Sequence, residues 1–133
     1  MSWPKGIAFT HSKYGVTQWV DDSTPEQREE LMKLRMRMLM EEFNETVTAF
    51  LMRDQEEMID GLIDLCVIAV GTLDIAGIDA DEAWCEVLRA NLDKEVGVKP
   101  GRPNPLGLPD LVKPEGWTGP DHKDNVGILK EFL

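Results

Sequence analysis

The stretch TPEQREELMKLRMRMLMEEFNETVTAFLM (residues 24–52) predicts one long, unbroken α-helix. Thr24 is a capping residue, Pro25 suits the first helical position, and Gln27 completes a capping box. After Pro25, no proline or glycine interrupts the stretch. We therefore expect a helix of about 28 residues, roughly 42 Å long. Apolar side chains recur along it at roughly helical spacing, at Leu31, Leu34, Met38, Phe43, Val47, Phe50 and Leu51.

Two further helices are predicted downstream. Asp54 can cap the second, and Gly77 is a natural residue to follow its last turn. Asp79 can cap a third helix that runs to about Glu95. Because the connection between the first two helices is short, we expect them to lie antiparallel.

The second predicted helix is apolar nearly all round. Its second half reads LIDLCVIAVGTL (residues 62–73). A helix that is apolar on every side must be covered on every side. A chain of 133 residues with three good helices cannot easily do that alone. We therefore expect a homo-oligomer, either a dimer or a dimer of dimers (a homotetramer).

Both flanks of the helical region look different from it. A short helix over residues 7–13, ended by Gly15, is predicted near the N-terminus. Residues 97–122 contain six of the eight prolines, which predicts a long ordered loop or a tail that lies over a neighbour. The final GILKEFL (residues 127–133) predicts a strand or a turn. The expected fold is an all-α, antiparallel helical bundle in one domain (1–133), with a core over about 24–95 and a C-terminal loop over 97–133.

The net charge, the apolar runs and the cysteines indicate the compartment of the protein and argue against nucleic acid and membrane as partners. A net charge of −11 without a basic patch argues against binding nucleic acid through its phosphates. The longest apolar run is too short to span a bilayer, and the N-terminus lacks the apolar region of a signal peptide. Cys66 and Cys85 lie in apolar helical patterns and are expected to be buried thiols, as in a reducing compartment. These features predict a soluble, cytoplasmic protein.

Acidic side chains form a stripe on each of the first two helices. Glu42 and Glu45 are three residues apart, and Glu41 flanks the same turn. On the second helix, a matching stripe is formed by Glu57, Asp60 and Asp64. In antiparallel helices the two stripes can face each other, and so many carboxylates would repel one another.

A hard divalent cation would relieve this repulsion. Mg²⁺ and Mn²⁺ prefer carboxylate oxygen and keep positions open for water and phosphate. The three predicted helices contain no histidine, which argues against di-iron and zinc sites. A solvated acidic face is the usual alternative for such spacing. For Asp64 an ion pair with a lysine or arginine is an equally good alternative.

The motifs EFNE (42–45) and EMID (57–60) resemble the Glu-x-x-Glu and Glu-x-x-Asp pair of the all-α NTP pyrophosphohydrolases. This superfamily includes the MazG-like and phosphoribosyl-ATP pyrophosphohydrolase-like proteins. NLDK (91–94) resembles its Asn-x-x-Lys, and VKPEGWTGPD (112–121) resembles the tail of small stand-alone members, many of them from bacteriophages. The likeness spans about residues 34–121. The gap between Glu45 and Glu57 is short for the family, which implies a tight turn.

The resemblance implies hydrolysis of a nucleoside triphosphate to a monophosphate and pyrophosphate. Two or more Mg²⁺ or Mn²⁺ ions would be involved, since such ions neutralise phosphate charge and lower the pKa of bound water. By the same resemblance Glu41 would hold or deprotonate the attacking water. The metal ligands would be Glu42, Glu45, Glu57 and Asp60.

Further substrate contacts are less sharply indicated. By resemblance Asn91 and Lys94 would contact phosphate or sugar, although Lys94 could also be a plain lysine at a helix end. Arg35 and Arg37 could each reach phosphate or pair with an acid, and for Arg37 the second is favoured. Lys113 and Trp117 could close over a site, with Trp117 alternatively anchoring the tail. Candidates for stacking on a base are Trp3, Phe9, Tyr14 and Trp19.

The base is indicated by resemblance alone. Relatives of this kind include enzymes that act on dUTP and others that favour dGTP or GTP, and by this resemblance we lean to a guanine nucleotide in a phage setting. The alternatives are a dUTP or damaged-nucleotide pyrophosphatase, and a non-enzymatic helical assembly protein stabilised by metal.

Overall fold

The computed structural model describes residues 1–102, 104, 106–108 and 110–133. Within them the chain is mostly helical, which confirms the all-α class. No single helix of these residues is both long and apolar enough to cross a membrane. The elements are α1 (Trp3–Lys13), α2 (Val16–Asp22), α3 (Pro25–Met52), α4 (Gln55–Ile75), α5 (Ala80–Leu92), the strands β1 (Glu95–Gly97) and β2 (Asp110–Val112), and a 3₁₀ helix (Leu129–Phe132).

The long helix α3 begins and ends as its sequence predicts. The hydroxyl oxygen of Thr24 accepts a hydrogen bond from the Gln27 N–H at 3.2 Å, and the Gln27 side-chain oxygen accepts one from the Thr24 N–H at 2.8 Å. This reciprocal pair is the predicted capping box. At the other end Arg53 takes a left-handed conformation with φ 57°, which breaks the helix. Only Arg53 and Asp54 separate α3 from α4, so the predicted tight turn is confirmed.

The limits of α4 are also confirmed. Asp54 caps it by accepting a hydrogen bond from the Glu57 N–H at 3.1 Å. The helix ends at Ile75, and Gly77 follows with a φ of 68°, which favours glycine. These are local interactions between residues close in the chain, which explains why sequence patterns located both ends.

Two predicted limits were wrong. The N-terminal helix begins at Trp3 rather than residue 7, and the second helix α2 follows it after Gly15. The helix expected to reach Glu95 ends at Leu92, because Glu95 starts a strand that pairs antiparallel with β2. This pairing joins segments on either side of the proline-rich loop, so no local pattern announces it. The chain's last residues, for which a strand or a turn was predicted, form a 3₁₀ helix.

The chain divides into two compact units, the first of which comprises Met1–Ala80 and Asn125–Leu133. In it α4 packs against both α3 and α1. Two glycines of α4 allow this packing. A Cβ atom at Gly61 would lie 2.4 Å from Thr46 Oγ1, and one at Gly71 would lie 2.4 Å from the Arg35 guanidinium. Since Arg35 precedes Thr46 while Gly71 follows Gly61, the two helices are antiparallel, as predicted.

The core of the first unit lies where α2, the end of α4 and the C-terminus meet. Its buried apolar residues are Val20, Ile75, Ala76 and Phe132. The C-terminal segment is held there by the Ile128 N–H, which donates to the Ala76 carbonyl at 2.8 Å. This core explains why the C-terminal residues return to the helical region.

A buried polar network joins α1, α3 and α4. His11 Nδ1 lies 2.5 Å from the carboxylate of Asp74. The Arg35 guanidinium donates to the Thr72 hydroxyl at 3.0 Å and to the Ile68 carbonyl at 2.9 Å. Burial lowers the pKa of Arg35, an effect that the Asp74 carboxylate opposes. The bonds from Arg35 therefore tie α3 to α4.

The second unit is Asp81–Asp124. It contains the antiparallel pair of strands β1 and β2. Glu95 pairs with Val112 and Gly97 with Asp110. The buried Asp110 carboxylate forms an ion pair with Arg102. Three residues of the predicted loop, Pro103, Pro105 and Pro109, lie outside the described residues.

Much of the apolar surface of α3 and α4 is exposed in the single chain. Phe43, Phe50 and Leu51 of α3 are 58%, 63% and 71% exposed, and Ile59 of α4 is 62% exposed. The prediction that Cys66 and Cys85 are buried is wrong for the single chain, because both are exposed. Cys66 does lie on an apolar helix, as the sequence pattern predicts. The single chain, however, leaves the face of α4 that carries Cys66 exposed.

Candidate functional site

The acidic stripes of α3 and α4 flank the close contact between Thr46 and Gly61. Both of these residues are buried. Thr46 donates its hydroxyl hydrogen to the Glu42 carbonyl at 2.7 Å, so it does not occupy the Glu42 carboxylate. Glu42 is half-buried, whereas Glu45 is exposed. The tight contact therefore places the acids of α3 beside α4.

The helix register decides which acids lie at the same level. Arg35 lies against Gly71, and Thr46 lies against Gly61. Because the helices are antiparallel, each step forward along α3 faces a step backward along α4, and the numbers of facing residues have nearly the same sum. By that register Asp64 lies level with Glu42. Asp60 lies level with residues 46–47, directly after Glu45. The same register places Glu57 about one turn nearer the α3–α4 connection.

The electrostatics of Glu42 indicate that one carboxylate of α4 lies near it. Its pKa is raised, first by burial and then by the negative charges of Asp64, Glu45 and Glu41. Asp64 belongs to α4, so this repulsion acts between helices and not only along one of them. Asp64 has no ion-pair partner among the described residues, which removes the main alternative for it within the single chain.

The cluster does not have the geometry of a closed metal site. In the described part of the chain, no three Asp, Glu, His or Cys side chains are grouped closely enough to hold an ion. Asp60, Asp64 and Glu57 are exposed, so their side chains can rotate. The donor set suits a hard divalent cation, because it offers oxygen ligands and a negative charge that no cation of the described residues pairs with. The metal roles of Glu42, Glu45, Glu57 and Asp60 stay predictions, as does the role of Glu41.

A second group of predicted residues comes together in the second unit. The Lys94 ammonium lies 5.5 Å from the centroid of the Trp117 ring, and the Lys113 ammonium lies 4.8 Å from it. Lys94 also donates to the Asn91 side-chain oxygen at 2.8 Å. The structure therefore gathers four predicted substrate-binding residues, Asn91, Lys94, Lys113 and Trp117, although they come from two motifs some twenty residues apart.

The two arginines considered for phosphate binding have different surroundings. The Arg35 guanidinium is occupied by its bonds to the Thr72 hydroxyl and the Ile68 carbonyl of α4, neither of which is the acid partner that the alternative to phosphate binding predicted. Arg37 lines an open cleft of about 720 Å³ in the first unit. Tyr14 and Trp19, two of the four aromatic candidates for base stacking, line the same cleft. Trp3 and Phe9 are exposed on α1.

Sequence analysis missed the residues that support the site rather than form it. The pair of His11 and Asp74, of which only His11 is buried, joins helices whose contact the sequence does not reveal. Gly61 and Gly71 were also missed. Their signal was a glycine in the middle of an otherwise strong helix, which costs stability unless close packing requires it.

Comparison with known proteins identifies one family. The model of the family described as phosphoribosyl-ATP pyrophosphohydrolase matches residues 18–91. The match includes all of α3 and α4 and ends at Asn91, so Lys94, Lys113 and Trp117 lie outside it. A search of curated proteins finds no match.

Proposed function

Given that the chain belongs to the phosphoribosyl-ATP pyrophosphohydrolase family, within the MazG-like all-α NTP pyrophosphohydrolases, we propose that it hydrolyses a (deoxy)nucleoside triphosphate to a monophosphate and pyrophosphate. The family supports nucleotide pyrophosphohydrolase activity in general, a hydrolysis of acid anhydrides. The observation that supports the narrower proposal is that the negative charges of Asp64, Glu45 and Glu41 act on Glu42 and add to the effect of burial in raising its pKa.

The acids have distinct proposed roles. Glu42, Glu45, Glu57 and Asp60 would hold two or more Mg²⁺ or Mn²⁺ ions, in keeping with the general divalent-metal dependence of the family. Such ions neutralise phosphate charge and lower the pKa of water. Glu41 would orient a water and accept its proton while the water oxygen adds to the α-phosphorus. The bond from the α-phosphorus to the bridging oxygen breaks, and pyrophosphate leaves with that oxygen.

Other side chains would hold the substrate. We assign Asn91 and Lys94 to phosphate or sugar, and Lys113 to phosphate. Asp64 adds negative charge beside Glu42 and so supports cation binding. We lean to dGTP or GTP as substrate by resemblance, with dUTP or a damaged nucleotide as the alternative. Such an enzyme would act on the cytoplasmic nucleotide pool, or on that of a host cell if a phage encodes it.

The exposed apolar surface supports self-association. Large side chains of both α3 and α4 are exposed in the single chain, among them Phe43, Phe50, Ile59 and Leu62. Leaving such a surface in water is unfavourable, and patches of this kind usually mark protein interfaces. We propose that copies of the chain cover it in a dimer or a dimer of dimers. Neither a nucleic acid nor a membrane is a proposed partner.

The direct test of the activity is a panel of nucleotides with resolved products. Incubation with each dNTP and with GTP, in Mg²⁺ or Mn²⁺, is expected to yield monophosphate and pyrophosphate, separable by anion-exchange chromatography. The guanine nucleotides are expected to give the highest kcat/KM. Release of orthophosphate alone would contradict the proposed bond cleavage. An oligomer that falls apart with chelator and consumes no nucleotide would favour the metal-stabilised assembly protein instead.

Metal binding is expected to depend on pH. Mn²⁺ should raise the melting temperature at pH 7.5, because it neutralises the repulsion around Glu42. The increase should shrink as the pH falls through the raised pKa of Glu42, because protons compete with the metal. Differential scanning fluorimetry with and without Mn²⁺ measures this. An equal increase at pH 7.5 and pH 4.5 would contradict a carboxylate site.

A further inference from the structure

Arg35 is a buried cation at the contact between α3 and α4. The residue is 9% exposed, and no carboxylate of the described residues lies within ion-pair distance of its guanidinium. Its hydrogen bonds go to neutral acceptors, the Thr72 hydroxyl at 3.0 Å and the Ile68 carbonyl at 2.9 Å. A buried charge of this kind costs stability, and its best-attested use between helices is to fix their register.

The guanidinium lies in a socket on α4, formed by Ile68, Gly71 and Thr72. A Cβ atom at position 71 would overlap Arg35 Nη2, so only glycine leaves the space that the guanidinium occupies. The Thr72 hydroxyl donates to the Ile68 carbonyl at 2.7 Å, and the same carbonyl accepts from Arg35. The socket therefore holds Arg35 at one position along α4.

Helix α1 adds a third side to this arrangement. The same added Cβ atom at position 71 would lie 3.2 Å from His11 Cε1 and 3.3 Å from His11 Nε2, so the imidazole also lies beside Gly71. His11 Nδ1 lies 2.5 Å from the carboxylate of Asp74, whose negative charge also acts on Arg35. Groups from three helices thus fix the position of the guanidinium.

The acids lie two turns away from the socket on both helices. Glu42 follows Arg35 by seven residues, and Asp64 precedes Gly71 by seven residues. Seven residues make about two helical turns, so each acid lies on nearly the same helix face as the socket contact, about 10 Å along the axis. Because the helices are antiparallel, the contact of Arg35 with Gly71 places Glu42 beside Asp64.

We infer that Arg35 is a positioning residue for the proposed metal site: seated over Gly71, it fixes the register at which Glu42 faces Asp64. It contacts neither metal nor phosphate. A slip of α3 against α4 by one turn would displace the acids by about 5.4 Å, whereas a bond from Mg²⁺ to oxygen is only about 2.0–2.1 Å long. That these acids bind a divalent cation rests on the proposed function.

Binding of Mn²⁺ alone, without nucleotide, tests the positioning role. Arg35→Met places an apolar chain without donors in the socket and is expected to weaken Mn²⁺ binding about tenfold. Losing a residue that orients metal ligands usually lowers metal affinity by about 10–100-fold. The melting temperature without metal should fall little, because replacing a buried charge by an apolar side chain is often neutral or stabilising.

The affinity is measured on the full-length protein by electron paramagnetic resonance of free Mn²⁺, well below both melting temperatures. An Arg35→Met protein that binds Mn²⁺ as tightly as wild type would overturn the positioning role. Arg35→Lys keeps the charge but not the planar fork that reaches two acceptors, so its affinity should lie between the other two. It provides the same comparison if Arg35→Met does not fold.

Arg28→Met is the matched control. Arg28 also belongs to α3, but its guanidinium donates to the Glu131 carboxylate at 2.8 Å, the Ser23 hydroxyl at 2.9 Å and the Val20 carbonyl at 3.2 Å. None of these acceptors belongs to α4. Arg28→Met should therefore bind Mn²⁺ as wild type does, even where it lowers the melting temperature. An equal loss of affinity in Arg28→Met and Arg35→Met would contradict a role in the register of α3 and α4.

The socket is tested without metal by combining two substitutions. Gly71→Ala adds a methyl group where the guanidinium lies and is expected to lower the melting temperature. In the background of Arg35→Ala the methyl group has room, so the further decrease caused by Gly71→Ala should be smaller. Thermal denaturation of the four proteins in EDTA measures this coupling. Equal decreases in both backgrounds would show that the guanidinium does not occupy the socket.

The positioning role and the proposed function fail in different ways. If Arg35→Met binds Mn²⁺ more weakly than wild type but the wild type hydrolyses no nucleotide, the positioning role stands and the proposed function fails. If the wild type hydrolyses nucleotides and Arg35→Met binds Mn²⁺ normally, the positioning role fails alone.

Discussion

Replacing Glu45 with glutamine is expected to abolish nucleotide hydrolysis, lowering kcat/KM by about a thousandfold or more. A bound divalent ion contributes several kcal/mol to such a reaction, and each 1.4 kcal/mol or so corresponds to about tenfold in rate. Glutamine keeps the size of glutamate but not its charge, so it weakens the proposed metal site with little effect on packing. Asp60→Asn, on the other helix, is expected to have an effect of the same order.

The structure predicts that these variants fold normally. Glu45 and Asp60 are exposed and make no ion pair among the described residues. Circular dichroism and size-exclusion chromatography should therefore match the wild type, while products are resolved by anion exchange. Glu29→Gln is a matched control, because Glu29 is an exposed acid of the same helix, paired with Lys33 at 2.8 Å. Full activity in Glu45→Gln or Asp60→Asn would remove that residue from the metal ligands.

Replacing Gly61 with alanine is expected to destabilise the protein by about 1–3 kcal/mol, the usual effect of overpacking a tight contact. The added Cβ would lie 2.4 Å from Thr46 Oγ1 and 3.3 Å from Thr46 Cα, so α3 and α4 must move apart. The same movement would separate Glu42 from Asp64, so nucleotide hydrolysis should fall as well. Urea denaturation at fixed protein concentration measures the loss of stability.

A second substitution separates this clash from a general effect of alanine. Thr46→Ala removes the nearest atom, Oγ1, so Gly61→Ala with Thr46→Ala should be more stable than Gly61→Ala alone. Gly6→Ala is the matched control. Gly6 is also a helical glycine, but its added Cβ would meet only Met1 Sδ, at 3.7 Å. This control should be neutral or stabilise the protein by up to about 1 kcal/mol. A Gly61→Ala protein as stable as wild type would show that the helix contact is not close.

The ends of α3 and α4 were predictable because short-range interactions set them. The capping box at Thr24 and the cap at Asp54 each join residues three apart. The resemblance to the family likewise followed from short motifs, namely the two acidic motifs that each span one helical turn, together with NLDK and the tail motif. The proximity of Asp64 to Glu42 was predictable in outline, because an antiparallel pair of helices can bring its two acidic stripes side by side.

Contacts between distant residues could not be predicted in this way. The β1–β2 pairing and the His11–Asp74 pair join segments that no local pattern links. The exposure of Cys66 also depends on which neighbours cover α4.

By itself the sequence determined the helical class, the length of α3, the tight turn after it and the two acidic stripes, since each depends on residues within a turn or two of one another. Only the tertiary structure decided the rest. In the tertiary structure Arg35 is hydrogen-bonded to α4, and Asp64 lies level with Glu42. The ammonium groups of Lys94 and Lys113 both contact the Trp117 ring. The physical reason is that helix caps and periodicity act over a few residues. By contrast, the partner of a side chain across the fold depends on how closely two backbones approach, which here is set by Gly61 and Gly71.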